Sequence, residues 1–264
     1  MKKYEEMTIK ELCDYKFKDK KLVLPLGWND DVYYKNFNRI SGLFVAGATG
    51  TGKSVFLHDL IVSLMYKNTP EEVKFVMFDP KKIELGEYDG IKHLLTGKSE
   101  RNLKKSYDIL IFLLKILESR INTINKEKLK SIEAYNKIKE EKWPHIFIFV
   151  DEGSSIIKMK DSHKILSKFL DYGNCVGFHL IYATNSYLED YVNSKFIDKF
   201  KYRITFDLAS IEQADFMKIE ESSWLNGNGE ALIKGRSGEV YKIQAPYVSD
   251  DERNEVVSQN RNKE

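Results

Sequence analysis

Short, unbroken apolar runs recur along the chain at LFVAG (43–47), VKFVMFD (73–79), HIFIFVDE (145–152), FHLIYATN (178–185) and YRITFDL (202–208). A strand with one wet face alternates apolar and polar positions, whereas runs without alternation suit strands covered on both faces. Helix-period stretches separate the first four runs. The clearest lies between Leu103 and Ile124, with apolar residues at 103, 107, 110, 114, 117, 121 and 124, a single helical stripe. That spacing also satisfies a heptad, but Ile109, Ile111, Phe112, Leu113 and Ile116 widen the stripe beyond a coiled-coil seam, which favours a core helix. Strands alternating with helices predict an α/β fold, a mostly parallel central sheet flanked by helices.

The two ends carry different signals. Thr8 and Glu11 form a capping-box pair ahead of Leu12, the mark of a short helix. LVLPLG (22–27), a polar turn through Asn29, Asp30 and Asp31, and then VYYKNF read as a hairpin. Near the C-terminus EALIK and EVYKIQ flank Gly235-Arg236-Ser237-Gly238, predicting a C-terminal β-hairpin. Ser249 and Glu252 then open a short charged helix. No internal repeat or Pro/Gly/Ser-rich linker divides the chain. The expected organisation is a charged lead-in over 1–21, one main domain over 22–248, and a closing helix and tail over 249–264.

Composition narrows the class. With 264 residues, 42% hydrophobic and 31% charged, the chain is globular rather than disordered. Its longest apolar run, Ile109 to Leu114, is far short of the roughly 20 residues that cross a bilayer. Acidic residues interrupt what would be the apolar part of a leader in MKKYEEMTIKELCDYK. The expectation is a cytoplasmic protein with no direct membrane insertion. Two cysteines, Cys13 and Cys175, make no disulfide framework. Lys and Arg number 42 against 40 Asp and Glu, so a polyanion must be met by a local patch and not by the field of the whole molecule. The five histidines show no H-E-x-x-H spacing and no pairing with cysteine, which argues against a protein-held transition metal.

The chemistry starts at Gly47-Ala48-Thr49-Gly50-Thr51-Gly52-Lys53-Ser54, which fits G-x-x-x-x-G-K-[ST]. A strand enters this stretch and an apolar-periodic helix leaves it through Val55. Glycines there let consecutive backbone N–H groups converge on phosphate oxygens, and the start of the following helix adds positive potential. Lys53 is expected at the β- and γ-phosphates and Ser54 on Mg²⁺, with ATP as the nucleotide. A phosphate-binding loop also needs a carboxylate at the end of a second buried strand. HIFIFVDE supplies Asp151 for Mg²⁺ and, beside it, Glu152 to polarise the attacking water; a helix N-cap is the plainer reading of Asp151. Asp79, ending FVMFD, competes for the metal role and ranks second because no Glu follows it. Thr184 and Asn185, at the end of FHLIYATN, are equally a γ-phosphate sensor and an ordinary strand-ending turn.

The stretch from Gly42 to Leu95, with SIEAYNK, PHIFIFVDE, GFHLIYATN, YRITF, GNGEALI and the closing APYVSDDE, resembles the motor core of FtsK/SpoIIIE-type DNA translocases over roughly Leu22 to Val256. The D-P-K-x-x-E-L stretch (Asp79, Pro80, Lys81, Glu84, Leu85) and V-S-D-D-E are more particular to that family than the phosphate-loop signature. The resemblance implies a RecA-like P-loop NTPase that assembles as a homo-hexameric ring around double-stranded DNA and couples ATP hydrolysis to movement. It places Lys53 and Ser54 on the Walker A pair and Asp151 and Glu152 on the Walker B pair. It makes Arg203 a finger reaching a neighbouring subunit's ATP, and puts Lys234, Arg236 and Lys242 in a DNA-facing hairpin. It also exposes departures. Asp215, in IEQADFM, lies near the place of an arginine in the family's second DNA loop; Asn185, followed by Ser186 and Tyr187, replaces the sensor glutamine; Gly153 stands where phenylalanine usually follows the Asp-Glu pair. The DNA-orienting winged-helix domain, the membrane anchor and the domain ahead of the core are not found, which suggests a bare motor serving a plasmid, a phage or a conjugative element, recruited by a partner protein. Two alternatives stay open: an ATPase of the same family driving protein export, as in type VII secretion, and a nucleotide-dependent adaptor with little turnover.

Overall fold

The structure, a computed structural model, describes residues 3–81, 84–184, 194–208, 214, 215, 217–219 and 225–261. The expected apolar runs become β3 (Gly42–Ala46), β4 (Val73–Phe78), β5 (His145–Val150), β6 (Phe178–Thr184) and β7 (Tyr202–Thr205). The two expected hairpins become β1 (Val23–Trp28) with β2 (Val32–Asn36), and β8 (Glu230–Lys234) with β9 (Val240–Gln244). All join one sheet in the order β2-β1-β9-β8-β7-β3-β6-β5-β4. The stretch β7-β3-β6-β5-β4 is parallel, and the two hairpins extend it as an antiparallel wing.

Helices cover both faces, which is why the parallel strands do not alternate. On one face α1 (Ile9–Asp14), α2 (Lys53–Lys67) and the last helix, α8 (Asp250–Asn260), meet Leu43, Val45, Phe75, Met77, Phe147, Phe149 and Ile181. On the other, α3 (Leu103–Lys126), α5 (Gly153–Ile157) and α6 (Ser162–Val176) meet the intervening residues Phe44, Val76, Ile146, Ile148, Leu180 and Tyr182. Two short helices, α4 (Ile132–Ile138) and α7 (Ser194–Ile197), complete the described set. Helix α3 is a core helix lying against α6, but its face is turned from the expected stripe. Leu110, Leu113, Leu117 and Ile124 are buried together with Ser106 and Arg120, while Leu103 is exposed. Arg120 belongs there because Nη1 donates to the carbonyls of Pro144 (3.0 Å) and Val176 (2.9 Å) and its guanidinium lies over the Trp143 and Phe178 rings.

The segment expected to be a lead-in is part of the core. Thr8 and Glu11 make the reciprocal capping box, and Ile9, Leu12 and Cys13 are fully buried. Glu252, expected to serve only its own helix, also accepts the N–H groups of Ile9 (3.3 Å) and Lys10 (3.2 Å), where the start of α1 favours a carboxylate. Lys10 Nζ returns an ion pair to Glu255 at 2.9 Å. The two ends of the chain are thereby clasped beside α2.

Two packing details have measurable consequences. His179 Nδ1 lies 2.6 Å from the Ile40 carbonyl, which can only accept; its Nε2 therefore accepts from His145 Nδ1 at 2.9 Å. Burial holds both rings neutral, lowering His145 to about 4, with help from Arg120, and His179 to about 3, with help from His145. The second detail is at Gly153, where an added Cβ would overlap the ring of Tyr182. Tyr182 stacks on Phe44, with centroids 5.4 Å apart, so the aromatic volume above this glycine comes from β6.

An unfolded histidine takes up its proton near pH 6.5, while the folded pair does not until pH about 4 to 3. Stability is therefore full above pH ~6.5 and declines as pH falls through the folded values. Melting temperature measured from pH 7.5 to 4 is expected to show this decline, and His179→Gln, which keeps a donor toward Ile40 and an acceptor toward His145, to flatten it. Gly153→Ala is expected to lose about 1–3 kcal/mol in urea unfolding, with part recovered when Tyr182→Leu is added.

Candidate nucleotide site

Register brings the site together. Ala46 is level with Thr184 on one side and Thr205 on the other, and Val150 is level with both Tyr182 and Phe78. The loops after β3, β4, β5 and β6 consequently leave from one edge, the carboxyl ends where open α/β sheets bind ligands. β6 lies between the strand entering the glycine loop and the strand carrying Asp151.

The loop from Gly47 to Gly52 uses backbone that only glycine adopts freely: φ is +84° at Gly50 and +114° at Gly52. At Gly52 a Cβ would also lie 3.0 Å from the Cα of Gly229. The loop is held both from outside and by its own threonine. Ala48 N–H donates to the Asp207 carbonyl (2.8 Å), Thr51 Oγ1 to the Ala48 carbonyl (2.9 Å), and Gly229 N–H to the Thr51 carbonyl (3.3 Å). Lys53 begins α2 and is buried, with Nζ 3.3 Å from Asp151 Oδ1. A buried ammonium and a buried carboxylate persist because each compensates the other.

Glu152 follows in the left-handed region, φ 52° and ψ 51°, costing on the order of 1 kcal/mol for a residue with a Cβ. Its side chain is buried, and Oε1 lies 3.2 Å from Lys81 Nζ. Ala48, Thr49, Gly50, Gly52, Lys53, Ser54, Val55, Lys81, Glu84, Asp151 and Glu152 line one open cavity of about 660 Å³. Gly47 and Thr51 shape the loop without lining it. The oxygens of Ser54 and Asp151 are the hard donors that suit Mg²⁺, set beside the lysine that suits phosphate.

Next to the glycine loop, the cavity is also lined by Asn228, Gly229 and the stretch from Gln244 to Tyr247, residues to which the sequence assigns no role. This lip is tied down at three points. Ala245 N–H donates to the Gly229 carbonyl (2.9 Å), Gln244 Nε2 to the Asn228 carbonyl (2.9 Å), and Val248 N–H to Asp59 Oδ1 (2.8 Å). Asp59 sits on α2, and burial pushes its carboxyl well above the usual range. Tyr247 stands at the rim, 66% exposed. Gln244 aside, the lip lies within the GNGEALI and APYVSDDE stretches, which carry the resemblance without indicating a place in the site, because it reaches the cavity only through the antiparallel wing.

Other expected residues fall elsewhere. Asp79 is fully buried and accepts the N–H groups of Glu84 (3.2 Å) and Leu85 (3.1 Å) through Oδ2. It holds the loop after β4 and does not line the cavity. Thr184 is buried at the end of β6, and Asn185 lies outside the described residues. Arg203 is buried, donating to the carbonyls of Phe200 (3.4 Å), Met217 (3.0 Å) and Ile197 (3.1 Å) and to Asp198 Oδ1 (2.9 Å). Reaching another subunit would require breaking all four contacts. In the late hairpin, Arg236 is exposed at the turn, Lys234 donates to the Lys218 carbonyl (2.6 Å), and Lys242 pairs with Glu230 (3.1 Å). Asp215 is exposed. No helix among the described residues is long and apolar enough to cross a membrane.

Solved structures share this architecture. The conjugation coupling protein TcpA of pCW3, in a monomer form with ATPγS, superposes with a TM-score of 0.82 at 18% identity, over 94% of this chain and 73% of that one. The cytoplasmic domain of the type VII secretion ATPase EccC of Thermomonospora curvata gives 0.79 at 19%, over 100% and 34%. The fold is that of a RecA-like P-loop ATPase. In sequence, a DNA translocase FtsK of Rickettsia typhi is 29% identical over 97% of this chain and 40% of its own length. One of Leptospira interrogans is 32% identical over 86% of this chain and 25% of its own length. The chain thus spans 25–40% of the length of these two relatives. The FtsK/SpoIIIE family profile matches residues 11–216; together with the glycine loop and its paired carboxylates, this match shows that the chain belongs to the FtsK/SpoIIIE family.

Proposed function

We propose that the protein hydrolyses ATP with Mg²⁺ and uses the energy to move double-stranded DNA, working as a ring of identical subunits. The convergence of Lys53, Ser54, Asp151 and Glu152 on one cavity beneath the glycine loop carries this reading. Backbone N–H groups of the loop and Lys53 take the phosphate charge. Ser54 and Asp151 are the residues that would hold Mg²⁺, which would supply neutralisation of phosphate charge there. Glu152 is the group placed to take a proton from the attacking water. Tyr247 offers an aromatic face at the rim for the base. Arg203 is assigned an internal role, joining the end of α7 to the 217–219 turn.

DNA as the moved polymer is supported by the relatives named DNA translocase and by the hairpin cations, of which Arg236 is the least engaged within the chain. Exposed Asp215 disfavours a second grip on phosphates, and a type VII secretion ATPase shares the fold, so protein export is the rival reading.

Lys53→Ala is expected to abolish turnover, and Glu152→Gln to bind ATP while hydrolysing it at least 10²-fold more slowly, by steady-state ATPase and equilibrium nucleotide binding. Linear duplex DNA is expected to raise the ATPase rate, with stimulation falling as salt rises. Changing Lys234, Arg236 and Lys242 together to Ala should flatten that salt dependence, with Arg236→Ala alone giving the largest share. A rate indifferent to DNA at every salt concentration would transfer the proposal to export.

A further inference from the structure

Two lysines meet the paired carboxylates, and they differ in freedom. Lys53 is fixed in the first turn of α2, and both sides of its contact with Asp151 are buried. Lys81 stands outside helix and strand, on the loop leaving the sheet's edge strand β4. Its side chain is 49% exposed on the cavity wall, while its partner Glu152 is only 8% exposed. Asp79 pins this loop by accepting the N–H groups of Glu84 and Leu85, so the backbone is anchored on both sides of Lys81 while its four-carbon stem keeps rotational freedom.

We infer that Lys81 is a positioning residue that exchanges partners. It holds Glu152 through the ion pair, and the terminal phosphate of a nucleoside triphosphate draws it away, leaving Glu152 to act on water only when that phosphate is present. The inference rests on the nucleotide reading of the cavity. With Lys81 Nζ 3.2 Å from Oε1, that oxygen is occupied by the ammonium and is not open to a water, so the pair restrains the base. A terminal phosphate carries more negative charge than one carboxylate and offers several acceptor oxygens, and the half-exposed lysine is the partner able to move between them. A diphosphate lacks that terminal group and leaves the pair in place. Lys81 would thus couple recognition of a triphosphate to release of the base, on a loop that the sheet order sets beside Glu152.

The test is equilibrium affinity of the full chain for ATPγS and for ADP, with Mg²⁺, by calorimetry. Lys81→Met is expected to weaken ATPγS binding about tenfold and leave ADP binding unchanged, the loss of one charge-assisted contact; Lys81→Arg should restore most of the difference. A lysine that only shaped the cavity would shift both nucleotides equally or neither, and either result overturns the exchange. Should Lys81→Met be unstable with Glu152 unpaired, Lys81→Met/Glu152→Gln removes both charges, and the preference for ATPγS is expected to fall there relative to Glu152→Gln alone; an undiminished preference again overturns it. If the unaltered chain binds neither nucleotide, the nucleotide reading fails and takes the exchange with it; if it binds both and Lys81→Met keeps the full preference, the exchange alone fails.

Discussion

Lys53 and Asp151 face each other at 3.3 Å in a place that water barely reaches, and neither charge could remain there alone. The lysine is delivered by the strand–loop–helix unit around β3, the carboxylate by β5. Because β6 separates the two strands, the charges meet only if all three stop level with one another. The parallel registers provide that, and the apolar sheet faces fix the registers, since a slip of one residue would exchange the side chains on the two faces. The site is thus a consequence of how both cores pack.

The antiparallel wing supplies what the parallel stretch lacks. A glycine loop at a sheet edge is open on one side; here the β8–β9 hairpin brings Gly229 against Gly52 and sets Gln244 to Tyr247 on the cavity wall. Asp59 ties this lip to α2, the helix that starts from the glycine loop. Loop, helix and lip form one closed circuit, and displacement of any member strains the other two. The same hairpin carries Arg236 at its far turn, joining the cationic tip to the cavity through two strands without an intervening linker.

Much of this was legible in the sequence because it is locally encoded. Continuous apolar runs marked the five parallel strands, since both of their faces are dry. Thr8 with Glu11 marked the first helix, and the glycine loop with Asp151 and Glu152 marked the cavity floor. What escaped depends on partners distant along the chain. The buried face of α3 includes Arg120, which carries no sequence signal of its own and serves the Pro144 and Val176 carbonyls. Glu252 caps a helix more than two hundred residues away in sequence. Lys81, seen only as part of a D-P-K motif, reaches Glu152 across the sheet edge. Arg203, for which the resemblance implies a finger, differs: it donates within this chain to three carbonyls and Asp198, all within 14 residues of it.

The clasp between α1 and α8 bears on how this molecule carries load. Tension entering the chain at Thr8 meets the Glu252 carboxylate and the Lys10–Glu255 pair within the first turn of α1. Those contacts lie beside α2, whose first residue is Lys53. A pull on that end is therefore shared with the closing helix and with the flank of α2, as well as with β1, against which α1 also packs.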